Sequence, residues 1–388
     1  MDLKEILSTK WKYGEKLLYL STLVTFSIIA YYNISIGYVM SPDSFGYSRW
    51  ADALIELDFN LFKYHTENTF WTPSYFYTTP VIIVGVLKVI FGSAWQYAFL
   101  VFNLFLALLS LVLFTKSLLI IGVRPFLISI AMAFLTLSVD FLLWPRYMLS
   151  DMTFTFLVSL ASYIVIKGVT ENKFHYLSLI SILVITLVSR PSSIPILFAI
   201  LFFVLISQLQ IYKKPKLIIL FILLLSIFTP FLFAYLYHLI EVYLSDNTQG
   251  HHLLKHIAVG EVINDRPETW LPPPSSYSDV AYLYFVRIIS FFNPYAAPFS
   301  TIHIVLNLIQ TLIIFSSITL WSFLGGSRKL LDRTVLFILL LSFSVAAFHS
   351  FTIIDYDWRY RFPIILPLMM IFPISMEIFF KKMKYDEL

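Results

Sequence analysis

Cysteine is absent from all 388 residues. Disulfide bonds, thiolate metal sites and thiol nucleophiles are therefore excluded. Charge is scarce too: Asp, Glu, Lys and Arg make up 13% of the chain, where soluble domains carry roughly 25%. Neither an internal repeat nor a low-complexity linker divides the sequence. What fills it is apolar, 59% hydrophobic with a mean hydropathy of +0.81. The 38 Phe and 24 Tyr suit helix ends that meet lipid headgroups. The chain reads as an all-α polytopic membrane protein, a single integral membrane domain over residues 1–388. The net charge of +4 fits cytoplasmic loops and termini and makes no case for nucleic acid.

A spanning helix needs about 20 apolar residues. Runs of this kind lie at 17–36, 75–92, 96–121, 125–143, 152–167, 174–189, 191–212, 217–240, 302–326, 334–354 and 362–380. The first has no small-residue cleavage site and is expected to be a retained helix. Lys4, Lys10, Lys12 and Lys16 precede it and hold the N-terminus in the cytoplasm by the positive-inside rule. If every run crossed, Lys213, Lys214 and Lys216 would fall outside, against that rule. The run 75–92 is bracketed by Pro73, Pro80, Gly85 and Gly92 and carries Lys88, so it is expected to pack on the outer face. That leaves about ten crossings and cytoplasmic termini. It also leaves two long polar stretches outside: a first outer loop at 37–95 with juxtamembrane helices, and a large one at 241–300.

Polar groups on the outer side then define the candidate site. Asp43 follows the first span. It either opens a helix as its N-cap or serves as a base, and both roles fit if one carboxylate oxygen stays free. The helix at 44–57 is amphipathic, with Phe45, Trp50, Leu54 and Leu57 on one side, and is expected to lie flat on the leaflet. Asp151 opens the fourth crossing, as a cap favoured by the helix dipole or as a second acid, with Arg146 a helical turn away. Arg190 stands between Ser189 and Ser192-Ser193, a fork of donors plus hydroxyls suited to phosphate. Arg359 and Arg361 alternate with aromatic residues in the run 355–361, where Asp355 and Asp357 are available to neutralise them. Such clusters at helix ends are functional candidates. His251, His252, His256, Glu261 and Asp265 share one loop, but no zinc spacing accompanies them. They read as solvated side chains, and neither a metal nor a cofactor is expected. A second interfacial helix is expected over Val280 to Phe292, after the Pro-rich turn at 271–274. The C-terminal Tyr-Asp-Glu-Leu resembles a lumenal retention signal, yet Lys381, Lys382 and Lys384 put it in the cytosol.

The order of these features resembles the GT-C superfamily of polyprenyl-phosphate-sugar-dependent glycosyltransferases, nearest in layout to protein mannosyltransferases and the lipid A aminoarabinose transferase. The likeness rests on Pro42-Asp43-Ser44-x-x-Tyr47, Trp71-Thr72-Pro73-Ser74-Tyr75, Ser150-Asp151, Arg190-Pro191 and Arg359-Tyr360-Arg361-Phe362-Pro363. Relatives often pair two acidic residues in the first loop, where Ser44 follows Asp43 here. The resemblance implies a GT-C-like fold in the inner (cytoplasmic) membrane, with an active site facing outward. It implies inverting transfer of a sugar from a polyprenyl phosphate carrier to a glycan, lipid or protein acceptor. Asp43 would be the catalytic base and Asp151 the second acidic residue of the catalytic site. Arg190, Arg359 and Arg361 would hold the lipid phosphate, with Arg146 in reserve. Tyr47, Trp71 and Trp270 are candidates to stack on sugar faces. An O-antigen-type polysaccharide polymerase and a lipid-linked sugar flippase are the alternatives. A flippase needs charges in mid-helix, and 17–36, 152–166 and 217–237 contain none.

Overall fold

The computed structural model describes residues 3–67, 74–209, 256–295, 300–324, 329–351, 353–354 and 359–386. Secondary structure there is helical, apart from two isolated parallel bridges, Val39 with Tyr147 and Ile263 with Ile354. Six helices among these residues are long and apolar enough to cross a membrane, and a seventh appears if one bent pair counts as a single span. This is a multi-pass helical membrane protein.

Helix α1 (Leu3–Ile36) carries the first apolar run and stops where Gly37 takes φ +85°, a conformation that costs glycine least. Helix α2 (Pro42–Glu56) begins with a reciprocal cap. The Ser41 hydroxyl accepts from the Ser44 N–H, and the Ser41 N–H donates to the Ser44 hydroxyl at 2.9 Å. Proline at N1 suits the start, since its missing N–H would have no helical partner. The buried face of α2 is Ser44, Tyr47, Ala51 and Leu54, whereas Phe45 is 56% exposed. Capping occupies Ser44 and the Ser150 hydroxyl meets Tyr47, so both polar groups go inside without loss. The helix packs against α4 (Thr78–Phe91), whose Lys88 Nζ donates to Asp52 Oδ1 at 2.7 Å and to the Ser48 carbonyl at 2.9 Å. Between them lies the short α3 (Leu61–Glu67). At 14 residues, α4 is about 21 Å long, short of the roughly 30 Å hydrocarbon core.

Helix α5 (Trp95–Ile120) follows a break at Gly92. The run 125–143 is not one helix: α6 (Pro125–Leu135) and α7 (Val139–Leu143) meet at a bend of 68°. Ser138 restarts the chain by capping the Phe141 N–H. The next helices are α8 (Asp151–Glu171), α9 (Tyr176–Leu187) and α10 (Ser193–Gln208). The last two, with 12 and 16 residues, are shorter than the runs 174–189 and 191–212. The run 217–240 lies outside the described residues. In the large loop, α11 (Tyr277–Ser290) starts three residues earlier than the expected interfacial helix, because Ser276 and Asp279 cap each other. Three long helices complete the chain: α12 (Thr301–Leu324), α13 (Lys329–His349) and α14 (Phe362–Asp386).

Helices α8, α13 and α14 form the centre, while α1 and α12 lie outside with apolar side chains such as Leu23 and Ile302 exposed. Polar side chains fasten the layers. Asn33 of α1 donates to the Leu142 carbonyl at 2.9 Å, and Asn103 of α5 to the carbonyls of Pro145 and Tyr147 at 3.0 and 3.1 Å. At the far end, the buried Glu377 of α14 accepts from Arg124 at 2.8 Å and pairs with Lys381 at 2.9 Å.

Candidate functional site

Four residues distant in sequence join into one chain of ion pairs. Arg359, just before α14, donates from Nη1 to Asp43 Oδ2 at 2.7 Å and from Nε to Asp151 Oδ2 at 3.1 Å. Asp151 Oδ1 in turn accepts from Nη1 of Arg190, in the turn between α9 and α10. Among the described residues this chain holds two carboxylates and two guanidiniums. The fold makes this meeting possible because α1 and α9 end where α8 and α14 begin.

Position along this chain sets exposure. Asp151 is 1% exposed and Arg190 5%, while the Asp43 side chain is 55% exposed. Burial pulls the Arg190 and Arg359 guanidiniums toward losing a proton. The carboxylate of Asp151 more than offsets this, and both are held above their usual range. The Tyr47 hydroxyl is pushed up by burial and stays neutral. It meets the Ser150 hydroxyl at 3.3 Å. Because Ser41 supplies the cap, Asp43 is not consumed by the start of α2. Among the described residues its Oδ1 accepts no hydrogen bond.

Two cavities adjoin at this point. Asp43, Arg359 and Pro42 line both. The larger, about 500 Å³, also has Arg190, Ser192 and an aromatic wall of Tyr47, Trp50 and Tyr77 with ring centroids 5.6–5.8 Å apart. Behind Arg190, whose guanidinium lies 5.4 Å from the Tyr360 ring centre, Tyr360 stacks on His349 at 4.1 Å. The smaller cavity, about 220 Å³, is lined by Asp140, Trp144, Tyr147 and His303 as well.

The sequence-predicted residues divide accordingly. Asp43, Tyr47, Arg190 and Arg359 come together on the larger cavity. Asp151 lines neither cavity and faces the two arginines. Arg361 donates to the Asn293 carbonyl at 3.0 Å and lines neither. The Arg146 guanidinium lies over the neighbouring Tyr147 ring at 5.9 Å, also outside both. Of the serines around Arg190, Ser189 and Ser193 bond the carbonyls of Ile185 and Leu187, so only Ser192 reaches the cavity. Trp270 donates to the Ile263 carbonyl at 3.2 Å, away from the site. Trp71, Asp355, Asp357, His251 and His252 lie outside the described residues. His256 contacts Glu261 at 3.2 Å. Sequence reasoning passed over Tyr77, His303 and His349. Each is a single polar group in or at the end of an apolar run, which local pattern does not distinguish from membrane-belt or core positions.

No family model, curated protein or solved structure matches the chain.

Proposed function

We propose that the protein is an inverting glycosyltransferase. It moves a sugar from a polyprenyl monophosphate carrier to an acceptor hydroxyl at the outer face of the cytoplasmic membrane. The supporting observation is Asp43, a carboxylate that the cap of α2 does not consume, lining two cavities and tied to Arg359 at 2.7 Å. One oxygen steadies the group on the guanidinium, and the other is available as a general base. The acceptor proton passes to Asp43 as its oxygen attacks the anomeric carbon. The bond from that carbon to the phosphate oxygen breaks on the opposite face, and the phosphate leaves with the electron pair. Arg359 and Arg190, already charged and fixed, meet the developing negative charge. Asp151 has both oxygens on these arginines and acts as a positioning residue. The reaction as drawn uses no metal and no cofactor.

The charge distribution supports the outward orientation. Helix α8 runs from Asp151 to Lys167, α13 from Arg333 to His349, and α14 from beside Arg361 to Lys381. The acid–guanidinium cluster and the basic residues thus occupy opposite helix ends, and the positive-inside rule assigns the basic ends to the cytoplasm. The reading takes α4 as an outer helix, α6–α7 as one bent crossing, α9 and α10 as short crossings and 217–240 as another, ten in all.

The test is Asp43→Asn in proteoliposomes supplied with a panel of polyprenyl phosphate sugars. Transfer should fall by about 10²–10⁴-fold, with the folded fraction and Tm unchanged. Normal turnover by a folded Asp43→Asn protein removes the assigned base.

A further inference from the structure

Asp140 has no part in that mechanism, and its surroundings ask for a ligand. It is 2% exposed, stands in the first turn of α7 and lines the 220 Å³ cavity. The Arg361 guanidinium and the side chains of Trp144 and Gln310 face the carboxyl, yet its Oδ2 accepts no well-formed hydrogen bond among the described residues. A carboxylate oxygen withdrawn from water without a donor is costly, and folded proteins rarely leave one so. Trp144 stands one helical turn after Asp140, where its backbone N–H closes α7 on the Asp140 carbonyl. The Trp144 and Tyr147 rings, 5.0 Å apart, give the cavity flat apolar faces.

The wall therefore offers two carboxylates, Asp140 and Asp43, one guanidinium, Arg359, and aromatic faces. An anion would meet two carboxylates on the wall, one of them already faced by Arg361. An ammonium group would suit the carboxylates but would meet Arg359. A hydroxyl-rich ring satisfies every part: its O–H groups donate to Asp140 and Asp43, its oxygens accept from Arg359, and its C–H face lies on the electron-rich ring faces. The volume of about 220 Å³ gives room for a single pyranose ring. We infer that the smaller cavity is a sugar-binding subsite in which Asp140 fixes a hydroxyl that does not react, and that the acceptor is itself a sugar. The sugar-binding claim stands on Asp140 and the cavity alone. Only the word acceptor rests on the transfer reading.

The test uses the full chain in nanodiscs and saturation-transfer NMR, with methyl glucopyranoside and methyl mannopyranoside as probes and ethanolamine as the comparator. At least one glycoside should bind saturably. Asp140→Ala should weaken it by about tenfold or more, because the site loses a buried acceptor. Leu143→Trp, which fills the cavity and keeps Asp140, should abolish it, so the conclusion does not hang on one variant. Tyr77→Phe, confined to the other cavity, should leave it unchanged. Absence of glycoside binding by folded wild type overturns the inference. So does binding that survives both cavity changes, or ethanolamine binding without glycoside binding. If glycosides bind as expected and no sugar phosphate supports transfer, the transfer reading fails and the subsite stands.

Discussion

Replacing Asp151 by asparagine attacks the ion-pair chain at its most buried member. The substitution keeps the shape and one acceptor, but removes the charge and turns an NH₂ group toward a guanidinium. Arg359 keeps Asp43 at 2.7 Å. Arg190, 5% exposed, keeps no acidic partner among the described residues. Breaking a buried pair from one side costs about 3–5 kcal/mol, because the remaining charge is uncompensated. The reverse change, Arg190→Gln, leaves Asp151 still paired with Arg359, so its cost is nearer the roughly 1–3 kcal/mol of one lost buried hydrogen bond. Asp151→Asn should therefore be the more damaging by about 2 kcal/mol. The two should couple by about 0.5–3 kcal/mol in a double-mutant cycle. Reversible unfolding by SDS in mixed micelles, followed by circular dichroism, measures all of these. Equal costs, or a larger cost for Arg190→Gln, would refute the claim that Asp151 is the shared counter-ion.

Two other outcomes are expected. The Asp279 carboxylate accepts from the Ser275 hydroxyl at 2.8 Å and from the N–H groups of Ser275 and Ser276, which hold it below the usual carboxylate range. Its folded value is depressed, so its contribution is complete above the unfolded value of about 3.9. That contribution is lost as pH falls through the lower folded value. Amide exchange in the first turn of α11 should quicken only below about pH 4, beyond the intrinsic trend, and the Asp279→Asn protein should not show the step. Because the chain has no cysteine, a single Val89→Cys change on the exposed face of α4 reports topology directly. An impermeant maleimide should label it from outside, and labelling from the cytoplasmic side alone would remove α4 from the outer face.

Apolar runs made the helices and their membrane character readable, since burial in lipid demands length and hydrophobicity and little else. The break in 125–143 was harder to see, because apolar residues flank it on both sides. The only cue was Ser138 before Val139-Asp140, a capping signature inside a hydrophobic stretch. That Ser44 lies on the buried face of α2 was not legible either, because hydropathy cannot know that Ser41 occupies the Ser44 hydroxyl. Individual site residues stood out as charges at helix ends, but their partners did not. Asp151 and Arg190 are 39 positions apart, Arg359 and Asp43 316, and no periodicity links such pairs. Arg359 and Arg361 looked equivalent in sequence. A turn of backbone sends one to the carboxylates and the other to the Asn293 carbonyl.

Arg359 is held by two masters, and this dictates the order of loading under the transfer reading. The Nη1 that restrains Asp43 is the same donor an incoming phosphate would claim. Until the carrier arrives, the base is tethered and a stray hydroxyl finds it half occupied. Once phosphate shares that guanidinium, its pull on the carboxylate slackens at the moment a leaving group is in place. Initial-rate kinetics should then show compulsory order with the lipid carrier first, and Arg359→Lys, with a point charge in place of the fork, should loosen that order and let water compete for the sugar. Random addition by the wild type would break the link between the two events.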